Sequence, residues 1–532
     1  MNHRRVALIF TLAIMVIMLA LPFVVRADEP AGAAPAAPAI TGDAAGTATG
    51  TIKDITAKEA GKPVLQEIAE AVGHNKISIN MVWTLITGFL VMFMQAGFAM
   101  VETGFCRAKN AAHTMLMNMM VYAIGMLGFW IMGFALMFGG IGQVANLGMV
   151  ANLNHELTIN LFGKDFGIIG YQGFFLAGPG VYDVAVFTLF LFQMVFMDTA
   201  ATIPTGAMAE RWKFSAFVIY GFFISMITYP IFGNWVWGGG WLSQLGSNLG
   251  LGHGAVDFAG SSVVHMTGGV TALAGAIVLG PRIGKFKKDG TPNAIPGHHI
   301  PMAIIGTLIL AFGWFGFNPG STLAGTDLRI GVIATNTMLA SASGCLLAMI
   351  VMWLKFGKPD PTMCANGLLA GLVAITAPCA FVTAPSAVLI GAIAGVLVIY
   401  SVLFVERTLK VDDPVGAVSV HGVCGAWGII SLGLFADGTY GDAWNSVKGT
   451  VTGLFYGDAS QLLAQCIDVI ANIVFVFIAS YIFFKLVDVI MGNRVSPEAE
   501  LGGLDIPETG ILAYPDFSVI KGKREEAANG QG

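Results

Sequence analysis

Charge is what this chain has least of. Only 11% of its 532 residues are Asp, Glu, Lys or Arg, where a soluble chain of this length carries roughly 25%. Set against 55% hydrophobic residues, that is too little charge to coat a water-facing surface. Most of the chain must face lipid or itself. Cysteine is scarce as well: Cys106, Cys345, Cys364, Cys379, Cys424 and Cys466 form no disulfide pattern and show no CxxC or Cys/His metal spacing. They read as packing residues. No nucleophile–base pair, phosphate loop or metal cluster is present, so neither an enzyme nor a cofactor is expected. A net charge of -5 gives no hint of nucleic-acid binding.

Long apolar runs are abundant. The 69 glycines and 26 methionines fit close helix–helix contact in a bilayer. Stretches of spanning length occur near 79–104, 113–139, 184–207, 214–236, 257–281, 300–318, 330–354, 363–384, 387–406, 414–435 and 461–488. The expected fold class is therefore an all-α polytopic membrane protein with about eleven transmembrane helices, in contact with membrane lipid.

Basic residues set the orientation. Alternate connections carry Arg107 and Lys109; Arg211 and Lys213; Arg282, Lys285, Lys287 and Lys288; Lys355 and Lys358; Arg407 and Lys410; and Arg494. The others carry only Lys164, Arg329 and Lys448. Positive loops stay in the cytoplasm, which predicts the N-terminus out and the C-terminus in. Residues 1–27, with Arg4 and Arg5 before an apolar run ending at Val25-Arg26-Ala27, read as a signal peptide; a retained helix is the alternative. A periplasmic segment, 28–78, partly disordered, is expected next, then a transmembrane domain over 79–488 and a cytoplasmic tail over 489–532. The signal peptide points to the inner membrane of a Gram-negative bacterium.

The most informative feature is internal. Residues 257–269 read DFAGSSVVHMTGG and 413–425 read DPVGAVSVHGVCG, sharing D-x2-G-x3-V-H-x3-G. The predicted topology runs the helix of Asp257 and His265 inward and that of Asp413 and His421 outward, an inverted repeat whose site falls near the bilayer midplane. From aspartate to histidine is roughly 12 Å of helix, against about 15 Å for half the hydrocarbon core. Both imidazoles thus arrive near the middle, where such a group is functional by default. Their closeness disfavours double protonation, and a lumen they line suits a small polar solute such as ammonia. Metal binding is the rival reading, but it needs more ligands than the neighbouring Val, Gly, Thr and Cys supply.

These residues bring out a resemblance. GAMAERWKFSA (206–216), WVWGGGW (235–241), DFAGSSVVH (257–265), GWFGFNPGS (313–321) and VDDPVGAVSVHGVCG (411–425), in this order, resemble the Amt/Mep/Rh ammonium transporter family over about residues 79–515. Trp237 and the FGFNPGS turn resemble the Amt branch more than the Rh branch. The resemblance implies two inverted five-helix halves plus a final long helix, assembled as a homotrimer with one pore per protomer. It implies an outer ammonium-recruiting site at Trp237, Ser321 and Phe196, a gate of Phe196 and Phe317, and a pore lined by His265 and His421. Asp257 resembles a buried aspartate that orders backbone and holds negative potential. Asp198 departs from the pattern, standing where relatives carry a small neutral residue; it is expected to hydrogen-bond nearby Ser or Thr, with proton relay as the alternative.

The implied function is an ammonium transporter or ammonia channel that recruits ammonium, deprotonates it and conducts ammonia, with or without net proton transfer. The tail, GGLDIPETGILAYPDF (502–517), keeps the GLD and Tyr of a segment that contacts PII signal proteins, but has Thr509 where a His is common. A PII partner is therefore an open expectation. Two rival readings remain: an ammonium sensor acting through a partner, which the short tail disfavours, and a Rh-like neutral gas channel, which Trp237 disfavours.

Overall fold

The computed structural model describes residues 56–59 and 61–516 and is predominantly helical. Every expected span falls on a helix: α1 (Leu65–Phe105), α2 (Ala108–Phe138), α3 (Val184–Met208), α4 (Phe214–Trp237), α5 (Ser261–Leu279), α6 (Ile300–Thr322), α7 (Ile330–Phe356), α8 (Pro361–Ile375), α9 (Ala384–Arg407), α10 (Val418–Phe435) and α11 (Ala459–Met491). Ten are long and apolar enough to cross a membrane; α8 is shorter. Its apolar run continues, but residues 376–382 leave the helix. Asn336 Nδ2 on α7 holds that turn by the carbonyls of Cys379 and Val382, at 3.0 and 2.8 Å.

Two features were not expected from the sequence. Helix α1 begins at Leu65, well before the apolar stretch that starts at 79. An antiparallel hairpin, β1 (Glu156–Leu161) and β2 (Lys164–Gly170), interrupts the helices between α2 and α3. Its two-residue turn places Phe162 and Gly163 both at positive φ, 57° and 74°. Such a turn matches strand twist, but Phe-Gly lacks the usual Asn-Gly signature. The expected signal peptide, 1–27, lies outside the described residues.

At the opposite end of the bundle from the hairpin, the connections are tied together by charge. Arg282, just past α5, binds Asp412, just before α10, through Nε–Oδ2 and Nη2–Oδ1 bonds of 2.9 Å. The end of α5 therefore meets the start of α10, so the two helices run antiparallel. Arg282 also reaches Glu210 at 3.3 Å, and Arg107 donates to both Glu210 carboxylate oxygens. Buried Arg211 donates to the Asp412, Gly280, Ala207 and Ala209 carbonyls.

The tail folds back onto the same end. Glu500 accepts from the Ile283 amide and from Arg494, the Asp505 carboxylate accepts from the His113 amide at 3.0 Å, and Glu508 accepts from the Phe214 amide at 2.8 Å. Tyr514 Oη lies 2.8 Å from His298 Nε2. One short segment thus grips the first turns of α2 and α4 and the connection after α5.

Candidate functional site

The shared D-x2-G pattern has a direct structural meaning. Asp257 precedes α5, whose first turns are π-helical, and its carboxylate accepts from the amides of Gly260, Ser261, Ser262 and Val263 at 2.8–3.0 Å and from the Ser262 hydroxyl at 3.0 Å. Asp413 repeats the device on α10, accepting from Gly416 and Val418 amides at 3.0 and 2.8 Å. The first turn of a helix leaves amides without intrahelical partners, and a carboxylate satisfies them. For the side chain to reach forward, the chain must turn at the glycine: φ is +118° at Gly260 and +83° at Gly416, a region a side chain disfavours.

The last glycine of the first pattern serves a different end. A Cβ on Gly269 would lie 2.2 Å from the Gly422 amide nitrogen. Helices α5 and α10 cross in backbone contact, and that crossing delivers the histidines. His265 and His421 are both buried, with Nδ1 to Nδ1 at 3.2 Å and ring centroids 5.2 Å apart. At that distance one Nδ1 donates and the other accepts, so two neutral rings must adopt complementary tautomers. One Nε2 is then left as a donor and the other as an acceptor. The Nε2 of His265 has no hydrogen-bond partner among the described residues.

Above His265 towards the hairpin end lie aromatic rings. Phe317 stacks near its ring at 5.4 Å, and Phe196 stacks on Phe317 with centroids 4.2 Å apart and planes 28° from parallel. Both phenylalanines are fully buried. Trp237 meets Phe196 edge-on at 6.1 Å, and its Nε1 donates to the Asp257 carbonyl at 2.6 Å. Beyond the stacked pair is a vestibule of about 140 Å³ whose lining includes Phe196, Trp237, Asp257, Phe258, Ser321 and Trp444. The Ser321 hydroxyl donates to the Phe317 carbonyl at 2.8 Å, leaving oxygen lone pairs free to accept. On the other side of His421 a second cavity, about 20 Å³, has room for about one water-sized molecule. Phe98, Glu102, Asn366 and His421 are among the residues around it.

All the expected site residues but one converge on this axis. Asp198 does not line either cavity. It is buried beside Gly125 of α2, and the expected hydrogen bond to Ser or Thr is not formed: its Oδ1 has no partner among the described residues. Its neighbours on α3 spend their hydroxyls elsewhere, Thr199 on the Val195 carbonyl and Thr202 on Gln95.

The chain has relatives. A model described as the Ammonium Transporter Family matches residues 82–514. The chain belongs to the ammonium transporter family. It is 49% identical to Ammonium transporter Amt2 of Archaeoglobus fulgidus, over 84% of this chain and 91% of that protein. It is 36% identical to Ammonium transporter 1 member 3 of Solanum lycopersicum, over 82% and 93%. Among solved structures, one titled "Sensor Amt Protein" superposes with a TM-score of 0.71 at 38% identity, covering 82% of this chain and 99% of that one. Candida albicans Mep2 superposes with a TM-score of 0.66 at 28% identity, over 79% and 86%. This family member is therefore a multi-pass membrane transporter, with the Amt-branch character its motifs suggested.

Two residues beside the candidate site were not foreseen. Trp314 Nε1 donates to Thr376 at 2.9 Å, fixing an indole that stacks on His265 at 5.3 Å. Glu102 accepts from Asn118 Nδ2 and Thr205 Oγ1, both at 2.7 Å, at the second cavity. Glu102 and Trp314 stand in apolar spans, where a carboxylate is a legible signal and an indole is not.

Proposed function

We propose that this transporter captures ammonium in the vestibule at Trp237, Ser321 and Phe196, strips one proton there, and passes ammonia between Phe196 and Phe317 to His265 and His421. The observation that carries the reading is the 3.2 Å pairing of two buried imidazoles directly behind a closed aromatic stack. A trapped charge would have to shed all its water at the stack, a cost far above that of passing the neutral form. The histidine pair then presents one donor and one acceptor, which ammonia, itself donor and acceptor, can satisfy in turn. Glu102 borders the cavity on the far side, where ammonia regains a proton. The hairpin end faces outward and the basic end faces the cytoplasm of a Gram-negative cell. Three protomers assemble, each with its own pore, and the tail faces a PII-type signal protein.

The test is an ammonium pulse on protein reconstituted on a solid-supported membrane, with internal pH followed in matched vesicles. Saturable current that falls severalfold in His265→Ala and His421→Ala supports charge-coupled transport through the pair. Internal alkalinisation with no current assigns a neutral-gas channel instead. Trp237→Leu is expected to raise the half-saturating ammonium concentration by about 2- to 30-fold, the span set by a cation–π contact of about 0.5–2 kcal/mol. An unchanged half-saturation would remove Trp237 from the capture site.

A second reading, in which ammonium binding is sensed, draws on the similar structure titled "Sensor Amt Protein". Binding of ammonium with neither current nor alkalinisation would favour it.

A further inference from the structure

Helix α11 holds the segment around Asp257 by a ladder of polar side chains on one face. Gln461 binds the His253 amide and the Gly254 carbonyl, Gln465 binds both the amide and the carbonyl of Val256, and Asn472 donates to the Ser262 carbonyl at 3.2 Å and to Thr267 at 3.1 Å. Asp468 lies on that face between Gln465 and Asn472. It is fully buried and faces Ser262 and Asp257, and neither of its carboxylate oxygens has a hydrogen-bond partner among the described residues.

The two aspartates are held in opposite ways. Asp257 takes four backbone amides and one hydroxyl, the shell of an anion. Asp468 takes none. A second bare anion beside Asp257 would be buried without donors and next to a like charge, an arrangement protein interiors avoid. Ser262 stands between them. Its hydrogen points to Asp257, so its lone pairs remain available to a donor from the Asp468 side.

We propose that Asp468 rests as a neutral carboxylic acid and shares its proton with Asp257 through Ser262. In the transfer, the Asp468 O–H bond breaks as Ser262 Oγ takes that proton, while the original Ser262 hydrogen passes to Asp257 Oδ2. One proton moves one way and one negative charge the other, and reversal restores the start. Asp468 is thus a positioning residue: it touches no substrate, yet it lets the charge at the vestibule be discharged from behind. That use rests on the transport reading above; the resting protonation does not.

Infrared spectra of the membrane-reconstituted protein at neutral pH test the protonation. The expected result is a carboxylic-acid carbonyl band present in the wild type, lost in Asp468→Asn and displaced in Ser262→Ala. A wild type whose carbonyl region is unchanged by Asp468→Asn overturns the proposal; if that variant fails to fold, Asp468→Ser provides the same difference spectrum. In transport, Asp468→Asn locks Asp257 as an anion, so the half-saturating ammonium concentration and the maximal current both fall severalfold. A purely structural residue would lower current without tightening binding, and that outcome overturns the role in transport. The band with no wild-type ammonium current would leave the Asp468 assignment standing and sink the transport reading alone.

Discussion

Asp257→Ala is expected to abolish ammonium current and to lower stability by at least about 3 kcal/mol, on a scale of about 1–3 kcal/mol per buried donor left without an acceptor. The substitution orphans four amides and one hydroxyl at the start of α5, all in a buried region. Stability and transport fail from the same loss. The first turn of α5 loses the cap that sets where His265 projects, and the Asp257 carbonyl that holds Trp237 Nε1 shifts with it. Thermal unfolding in detergent reads the stability, and the ammonium pulse reads the transport. Wild-type melting with abolished current would show that the carboxylate acts on the substrate without organising the helix. Wild-type values of both would remove it from the site.

Asp412→Asn is expected to cost about 3–5 kcal/mol, because it breaks a buried ion pair and strands its partners. Arg282 keeps a bond to one amide oxygen but meets an NH2 in place of the other oxygen, and both Arg282 and Arg211 lose the nearby negative charge. Burial by itself would raise the Asp412 pKa; Arg211 and Arg282 overcome that and hold it well below the usual carboxylate range. Burial likewise opposes ionisation of Glu210, and Arg282 with Arg107 holds it below its ordinary value. Since both carboxyls are depressed in the fold, their contribution is complete above the ordinary carboxylate range near pH 4. It fades only as the pH falls below that range, through the folded values. Melting temperature followed from pH 7 downward should therefore keep this contribution to about pH 4 and lose it progressively below. Asp412→Asn should start lower and lose less on acidification. A variant with the wild-type melting temperature would show that the connections between helices do not depend on this cluster.

Much of the site was legible because its residues are out of place in an apolar helix. The twin patterns around His265 and His421 announced themselves by spacing, and the structure explains all the shared positions but the valine: carboxylate cap, left-handed glycine, imidazole, and a last glycine packed on the partner helix, Gly269 against Gly422 and Gly425 against the Ser261 carbonyl. The helices were legible from hydropathy, apart from α8, where an apolar run continues past the helix end into a turn that Asn336 stabilises. Aromatic residues were legible only through motif position. Phe258, Trp314 and Trp444 look like packing in sequence, and only the fold brings them to the axis. The hairpin was hidden because Phe162-Gly163 gives little turn signal. The ladder on α11 was readable in principle: polar residues at 461, 465, 468 and 472 keep to one face of a lipid-spanning helix. Asp198 was legible as a carboxylate in an apolar span, but its buried place beside Gly125, away from both cavities, was not.

The bare crossing of Gly269 against Gly422 has a consequence for how such a pore works. Two backbones in direct contact have no compressible side chains between them, so α5 and α10 cannot slide or tilt past one another without breaking the contact. The ion cluster ties the end of α5 to the start of α10, the tail holds the connection after α5, and the polar ladder holds the other end of α5. The moving parts that the proposed route requires are small: two phenyl rings and the hydrogens of two imidazoles. On the proposed route, turnover should therefore vary far less with bilayer thickness or stiffness than that of a carrier which rocks between two shapes.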